Sequence, residues 1–138
     1  MNVFVDTNVL LDVVTKRERF YQKSAEVWKL AEYGRILGLV SAISFTNIFY
    51  IVRKWRDRKV ALRSMAQLRD VFTLVALDGQ VLNQAIDADF KDFEDAIQYF
   101  SALRADASCV VSRNPDHFPR SDLPVLSPAE FLTAHSFQ

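Results

Sequence analysis

The chain has 138 residues, half of them apolar and a quarter charged, with 17 basic against 17 acidic side chains. That is globular composition in a length sufficient to bury a core, and a formal charge of zero argues against a bulk basic nucleic-acid binder while allowing a local basic patch. A single cysteine, Cys109, excludes an internal disulfide; with no basic leader and no apolar stretch of spanning length, the expectation is a cytoplasmic protein with no membrane partner.

In chain order, Asn2-Val3-Phe4-Val5 is an apolar run too short for a helix, ending at Asp6 and leading into a helix from Thr7 or Asn8. A strand buried on both faces belongs at the centre of a parallel sheet, and ligands of open α/β sheets bind at the carboxyl ends of such strands. Asp6 therefore stands where chemistry is normally done. After a polar loop at 15–19, helical spacing over residues 20–33 ends before Gly34, and residues 36–40 read as a strand. Ser41 or Ser44 caps a helix over 45–55, with Phe45, Ile48, Phe49 and Val52 on its core face. A further helix is expected over 57–69, a strand over 72–77, and a short helix over 80–88 capped by Asp78. Phe93, Ala96, Ile97, Phe100 and Leu103 recur at helical spacing over 92–104, and Ser108-Cys109-Val110-Val111 reads as a buried strand. All four prolines fall between Pro115 and Pro128 and break that stretch into turns, one of them at Pro119. Residues 124–126 form an edge strand, and Ser127 caps a last helix with Pro128 in its first turn. Alternating strands and helices imply one α/β domain over 1–138, with a parallel sheet covered by helices on both faces.

Three acidic groups stand out: Asp6, the set Asp92, Glu94 and Asp95, and the stretch Arg113-Asn114-Pro115-Asp116-His117. If the strand 108–111 pairs beside the first one, all three meet at one edge of the sheet. Oxygen ligands without a Cys/His set favour Mg²⁺ or Mn²⁺ over Zn²⁺, ions that activate water for phosphate hydrolysis. Each group also has a plainer reading. Asp6 serves equally as a turn residue, Asp92 and Asp95 as a capping-box variant, Asn8 as a cap or an orienting amide, and Asn114 and Asp116 as turn formers. Glu94 and Asp12 are expected in solvent, and His117 on the surface. Arg53, Lys54, Arg56, Arg58, Lys59 and Arg63 concentrate positive charge around Trp55, either as a polynucleotide track or as a solvated face. Trp55 fits a core or a stacking role equally.

The opening Val3-Phe4-Val5-Asp6-Thr7-Asn8-Val9-Leu10-Leu11-Asp12 resembles that of PIN-domain proteins, the metal-dependent ribonuclease fold of VapBC-type toxins. So do Ser41 to Tyr50 followed by Arg53-Lys54, Asp92 to Tyr99, Val111 to Pro115, and Pro124 to Leu132, so the resemblance covers essentially the whole chain. It implies a three-layer α/β/α fold around a five-stranded parallel sheet of order 3-2-1-4-5. It implies RNA hydrolysis with Mg²⁺ or Mn²⁺ held by Asp6 and Asp95, joined by Asp92 and Asp116, with Asn8, Asn47 and Asn114 in support. The basic residues from Arg53 to Arg63 would hold RNA, and an antitoxin partner and a homodimer are further implications.

Two positions depart from that pattern. The helix containing Thr46 and Asn47 lacks the usual glutamate, which leaves the contact to the Asn47 amide. After the fourth strand Ser112 replaces a threonine, and His117 precedes Phe118 with Asp116 one place earlier, so the fourth acidic position falls to Asn114 or Asp116. The rival to a nuclease is a catalytically weak or inactive PIN scaffold that binds RNA or protein; a phosphohydrolase or DNA nuclease is a second enzymatic reading.

Overall fold

The computed structural model describes residues 1–118 and 122–135, so the break expected at Pro119 lies outside them. Strand β1, Asn2–Val5, leads through Asp6 into α1, Thr7–Val14, and then α2, Tyr21–Glu32. Next come β2, Leu37–Ser41, the helices α3, Ala42–Trp55, and α4, Arg58–Val71, and β3, Thr73–Val75. The second half holds α5, Gly79–Ala88, α6, Phe93–Arg104, β4, Cys109–Val111, a 3-10 turn at Pro115–His117, β5, Val125–Leu126, and α7, Pro128–Ala134.

The five strands are parallel in the order β3-β2-β1-β4-β5, as expected. Strand β1 lies between β2 and β4, with Phe4 opposite Leu39 on one side and Val110 on the other. Its side chains alternate between layers. Val3 and Val5 pack with Val9, Val27, Trp28, Ile48, Leu68 and Phe131 of α1, α2, α3, α4 and α7. Phe4 faces the other way, onto Tyr99 and Ala102 of α6, and α5 packs against α6 through Val81, Ala85, Ala96 and Ile97. The chain leaves β1 toward β2 and returns later to β4, and that reversal opens a crevice at the carboxyl ends of β1 and β4.

Local chemistry sets the element ends. Asp57, Asp78 and Asp92 each accept a backbone N–H at the start of α4, α5 and α6. Ser127 and Glu130 form a reciprocal capping box on α7 behind Pro128. Gly34, at φ +72°, terminates α2. Of the two serines open as caps for α3, Ser41 takes the role and starts that helix at Ala42, three residues earlier than expected. Strand β3 is shorter than the expected 72–77 because Phe72 is the C-cap of α4 and turns inward. Phe93 and Leu103, expected in the core, are 49% and 39% exposed; α6 presents Ala96, Ile97, Tyr99 and Ala102 to its neighbours instead. Asp12, expected in solvent, is fully buried.

Gly38 in β2 is required by proximity. A Cβ there would stand 2.5 Å from Phe72 Cδ1 and 3.0 Å from the Ala31 Cβ. Gly38→Ala is therefore expected to destabilise the fold by about 1–3 kcal/mol, read as a lowered urea midpoint with unchanged m-value.

Candidate active site

Asp6 follows β1 directly, because the strand's buried apolar run ends there and the same residue caps α1. Its Oδ1 accepts the Thr7 N–H at 2.8 Å, and its Oδ2 accepts the Ser112 hydroxyl at 2.8 Å. Ser112, just past β4, in turn accepts the Asn114 N–H at 3.2 Å. The Arg113 N–H donates to Asn8 Oδ1 at 3.1 Å, and the Asp6 N–H to the Val111 carbonyl at 2.9 Å. The ends of β1 and β4 are thus stitched together atom by atom around one carboxylate that is only 4% exposed.

A recess of about 550 Å³ opens over this junction. Asp6, Asn8, Asn47, Asp92, Asp95 and Asn114 all line it, so the structure brings together six of the seven residues expected to form the acidic site and its support. Asp116 is the exception: it and His117 are both exposed in the 3-10 turn, but only His117 lines the recess. Asp92 caps α6 by accepting the Asp95 N–H at 3.1 Å while also lining the recess, so its two readings coexist. Glu94, expected in solvent, lines the recess and accepts the Asn47 Nδ2 amide at 2.8 Å.

The charge is one-sided. Among the described residues, four carboxylates line the recess and no lysine or arginine does. Burial pushes the Asp6 carboxyl up to about 6, against the Ser112 and Thr7 hydrogen bonds, with Glu94 and Asp92 adding repulsion. Asp95 is pushed up to about 7 by burial and then by the charges of Asp6, Asp92 and Glu94. Hard oxygen donors with uncompensated negative charge fit a divalent cation such as Mg²⁺ or Mn²⁺. Among the described residues no three His, Cys, Asp or Glu side chains form a ready-made cage.

A buried polar knot fixes the carboxylates' relative positions. Gln98, one turn beyond Asp95, donates Nε2 to Thr7 Oγ1 at 2.9 Å and to Ser44 Oγ at 3.2 Å, and the two hydroxyls share a 2.7 Å hydrogen bond. Thr7 adjoins Asp6 and Ser44 lies one turn before Asn47, so α1, α3 and α6 are pinned beneath the recess. A second clamp lies behind it: the Arg113 guanidinium stands 4.3 Å from the Phe20 ring centroid and 3.6 Å from Asp12 Oδ1. Asp12 is raised above the usual carboxylate range by burial, with Arg113 and Arg17 pulling it back.

The basic residues divide. Arg53 and Lys54 are exposed at the end of α3, and the Arg53 guanidinium stands 5.3 Å from the ring of Tyr50, a recess residue. Arg56 and Arg63 line another recess with Trp55, while Arg58 and Lys59 are exposed at the start of α4. Trp55 is 48% exposed, which settles it outside the core. Sequence reasoning missed Tyr50 and Gln98 and placed Glu94 in solvent; His117 is exposed as expected and lines the recess as well. Gln98 carried one signal, a polar side chain among the mostly apolar buried residues of α6, where Ser101 is another.

The sheet order and the acidic crevice describe an α/β domain that places negative charge at its topological switch point, ready for a cation. The sequence matches the PIN domain family over residues 2–116, and the chain belongs to that family. Ribonuclease VapC1 of Aquifex aeolicus strain VF5 is 28% identical over 134 residues, spanning 94% of this chain and 92% of that protein. The fold is shared with the DNA-bound VapBC structure from Salmonella typhimurium, at 15% identity and TM-score 0.72 over 93% of this chain and 98% of that one. It is also shared with VapC20 of Mycobacterium tuberculosis, a Sarcin-Ricin loop cleaving toxin, at 13% identity and TM-score 0.66 over 78% and 86%.

Raised carboxyl pKa values make the native state hold protons that the unfolded chain releases. Their stabilising contribution is complete below about pH 4 and is lost as pH rises through about 6 and 7. Without divalent ions, the melting temperature should therefore fall between about pH 5 and 8. Asp6→Asn should raise stability at pH 8 by roughly 2–3 kcal/mol, at about 1.4 kcal/mol per pKa unit, and flatten the profile. A profile unchanged by the substitution would contradict the assignment.

Proposed function

We propose that this PIN-domain chain is a Mg²⁺- or Mn²⁺-dependent endoribonuclease, the toxin of a toxin–antitoxin pair acting in the cytoplasm. The observation that carries the reading is the convergence of four carboxylates over the ends of β1 and β4 with, among the described lining residues, no lysine or arginine. The name of the Aquifex relative supports ribonuclease chemistry, and toxin–antitoxin complexes of the same fold support a protein antitoxin.

Asp6 and Asp95 would hold the cation, with Asp92 and the amides of Asn8, Asn47 and Asn114 around it. Each oxygen of Asp6 already accepts one hydrogen bond, from Thr7 or Ser112, and keeps further acceptor capacity for the ion. When bound, the ion supplies an activated water and neutralises charge on the phosphate. Ser112 keeps the Asp6 carboxylate in one orientation, and the Gln98 knot keeps α6, and so Asp95, at a fixed distance from it. Arg53 and Lys54 sit where the backbone of a bound strand would leave the recess.

A specific observation favours a second reading. Neither α3 nor the 3-10 turn brings a carboxylate of its own into the recess, as Asn47 and His117 stand there instead. A scaffold that binds RNA or a partner protein without cutting follows from that.

Purified protein incubated with structured and single-stranded RNAs separates the two. Cleavage is expected with Mg²⁺ or Mn²⁺ and not with EDTA. Asp6→Asn and Asp95→Asn, with unchanged circular dichroism, should each lower the rate on the order of 10²-fold or more. Ser112→Ala, acting through Asp6, should cost roughly 10–100-fold. RNA bound but uncut by antitoxin-free protein under all these conditions would select the non-catalytic reading.

A further inference from the structure

We infer that a small recess behind the turn after β4 is a second site, one that binds a phosphate-sized oxyanion. It shares no lining residue with the acidic recess, so the inference stands whether or not the chain cuts RNA. The cavity holds about 210 Å³, smaller than the recesses that take drug-sized ligands and suited to an ion. Three cations line it: Arg19 before α2, Lys23 in the first turn of α2, and Arg113 after β4. Against them, among the described lining residues, stands one carboxylate, that of Asp12. Three positive charges less one negative leave two, which matches a dianion such as hydrogenphosphate or sulfate.

Arg19 and Lys23 are exposed and alone would be an ordinary solvated face. Arg113 makes the difference. Its side chain is 22% exposed and stands 3.6 Å from Asp12 Oδ1, which is too far for a hydrogen bond. Both Arg113 Nε and Asp12 Oδ1 are buried without a hydrogen-bond partner. Asp12 thus offsets the charge of Arg113 without using its donors. A guanidinium has five of them, and a buried donor left unmade costs free energy.

The ring of Phe20 gathers two guanidiniums, with Arg113 at 4.3 Å and Arg19 at 5.4 Å from its centroid. Like charges held at one ring repel each other. Among the described residues neither Arg19 nor Lys23 is in an ion pair. An oxyanion placed among the three relieves the repulsion and accepts the unspent N–H groups, the charge-assisted recognition to which arginine is suited. Ser127 lines the same recess. Its Oγ accepts the Glu130 N–H at 3.1 Å, which leaves the hydroxyl proton to donate.

The test uses the full chain in EDTA, so that phosphate cannot reach the acidic recess through a metal. Inorganic phosphate, titrated at constant ionic strength and followed by calorimetry and backbone amide shifts, should bind saturably at one site. Sulfate should compete with it, and the shifts should centre on Arg19, Lys23 and Arg113. Arg19→Gln and Lys23→Gln should each weaken binding roughly 3- to 10-fold. Lys29→Gln, the same charge change at an exposed position of α2 outside the recess, should bind as the parent does. Arg113→Lys, which keeps the charge and loses the planar fork, should cost on the order of 10-fold or more. If that variant fails to fold, the two glutamine variants at exposed positions carry the test. Phosphate should also raise the melting temperature of the parent more than that of the Arg19→Gln/Lys23→Gln double variant. Glycerol phosphate in a parallel titration identifies the source: weaker binding than inorganic phosphate marks a free ion, and equal or tighter binding an esterified phosphate. Absence of saturable binding, equal affinity in the double variant and the parent, or a loss in Lys29→Gln as large as in Lys23→Gln would overturn the inference.

Discussion

Everything at the functional end of this molecule depends on burying one carboxylate, that of Asp6, at the exit of the central strand. A buried negative charge is costly unless it is hydrogen-bonded, and this one is compensated by donors from two directions. The Thr7 N–H comes from the helix that Asp6 itself caps, and the Ser112 hydroxyl comes from the end of a strand more than a hundred residues later. The positive end of α1 adds a favourable local field. Compensation is partial, since the group remains raised to about 6. That residual cost disfavours the charged form relative to water, and a cation held there, as proposed, would offset it.

The surrounding devices keep that carboxylate and its counterpart in place. Gln98, Thr7 and Ser44 form a hydrogen-bonded triangle that is almost completely shielded from solvent, and a buried network of this kind tolerates few alternative packings. Asp12 and Arg113 do similar work behind the site, where Arg113 is gripped by its charge partner and by the Phe20 ring while its own N–H engages Asn8. The turn after β4 is therefore held at Arg113 from behind and at Ser112 from the front. The stability and the geometry of the site draw on the same contacts.

Much of this was legible in the sequence. The short apolar run before Asp6 located the central strand, alternation of strands and helices gave the parallel sheet, and Asp78, Asp92 and Ser127 announced their helices because capping is a local property. Resemblance to the PIN family supplied the strand order, which propensity alone does not encode. What escaped was decided by tertiary placement. Phe93 belongs to a periodic apolar set yet stands at the first turn of α6, where it stays half exposed. Asp12 looked solvated because nothing in its neighbourhood discloses that Arg113 arrives from a distant turn. Glu94 points into the recess because Asn47 of another helix offers it an amide. Asp116 and His117 differ by one position in a proline-bounded turn, and only the turn's conformation decides which side chain lines the recess. The cluster of six basic residues reads as one patch along the chain, but the helix break at Arg56 and Asp57 sends Arg56 and Arg63 to a different recess from the one beside Arg53.

The central claim is that Asp6 and Asp95 form one coupled site whose charge is completed by a divalent cation. Isothermal titration of Mn²⁺ at about pH 6.5, in buffers of different ionisation enthalpy, tests it directly, because a cation that binds carboxylates raised to about 6 and 7 must displace their protons. The account predicts net proton release at that pH, its decline to near zero by about pH 8.5, and its loss with the binding in Asp6→Asn. Binding whose heat is independent of buffer at about pH 6.5, or that survives in Asp6→Asn, would contradict it.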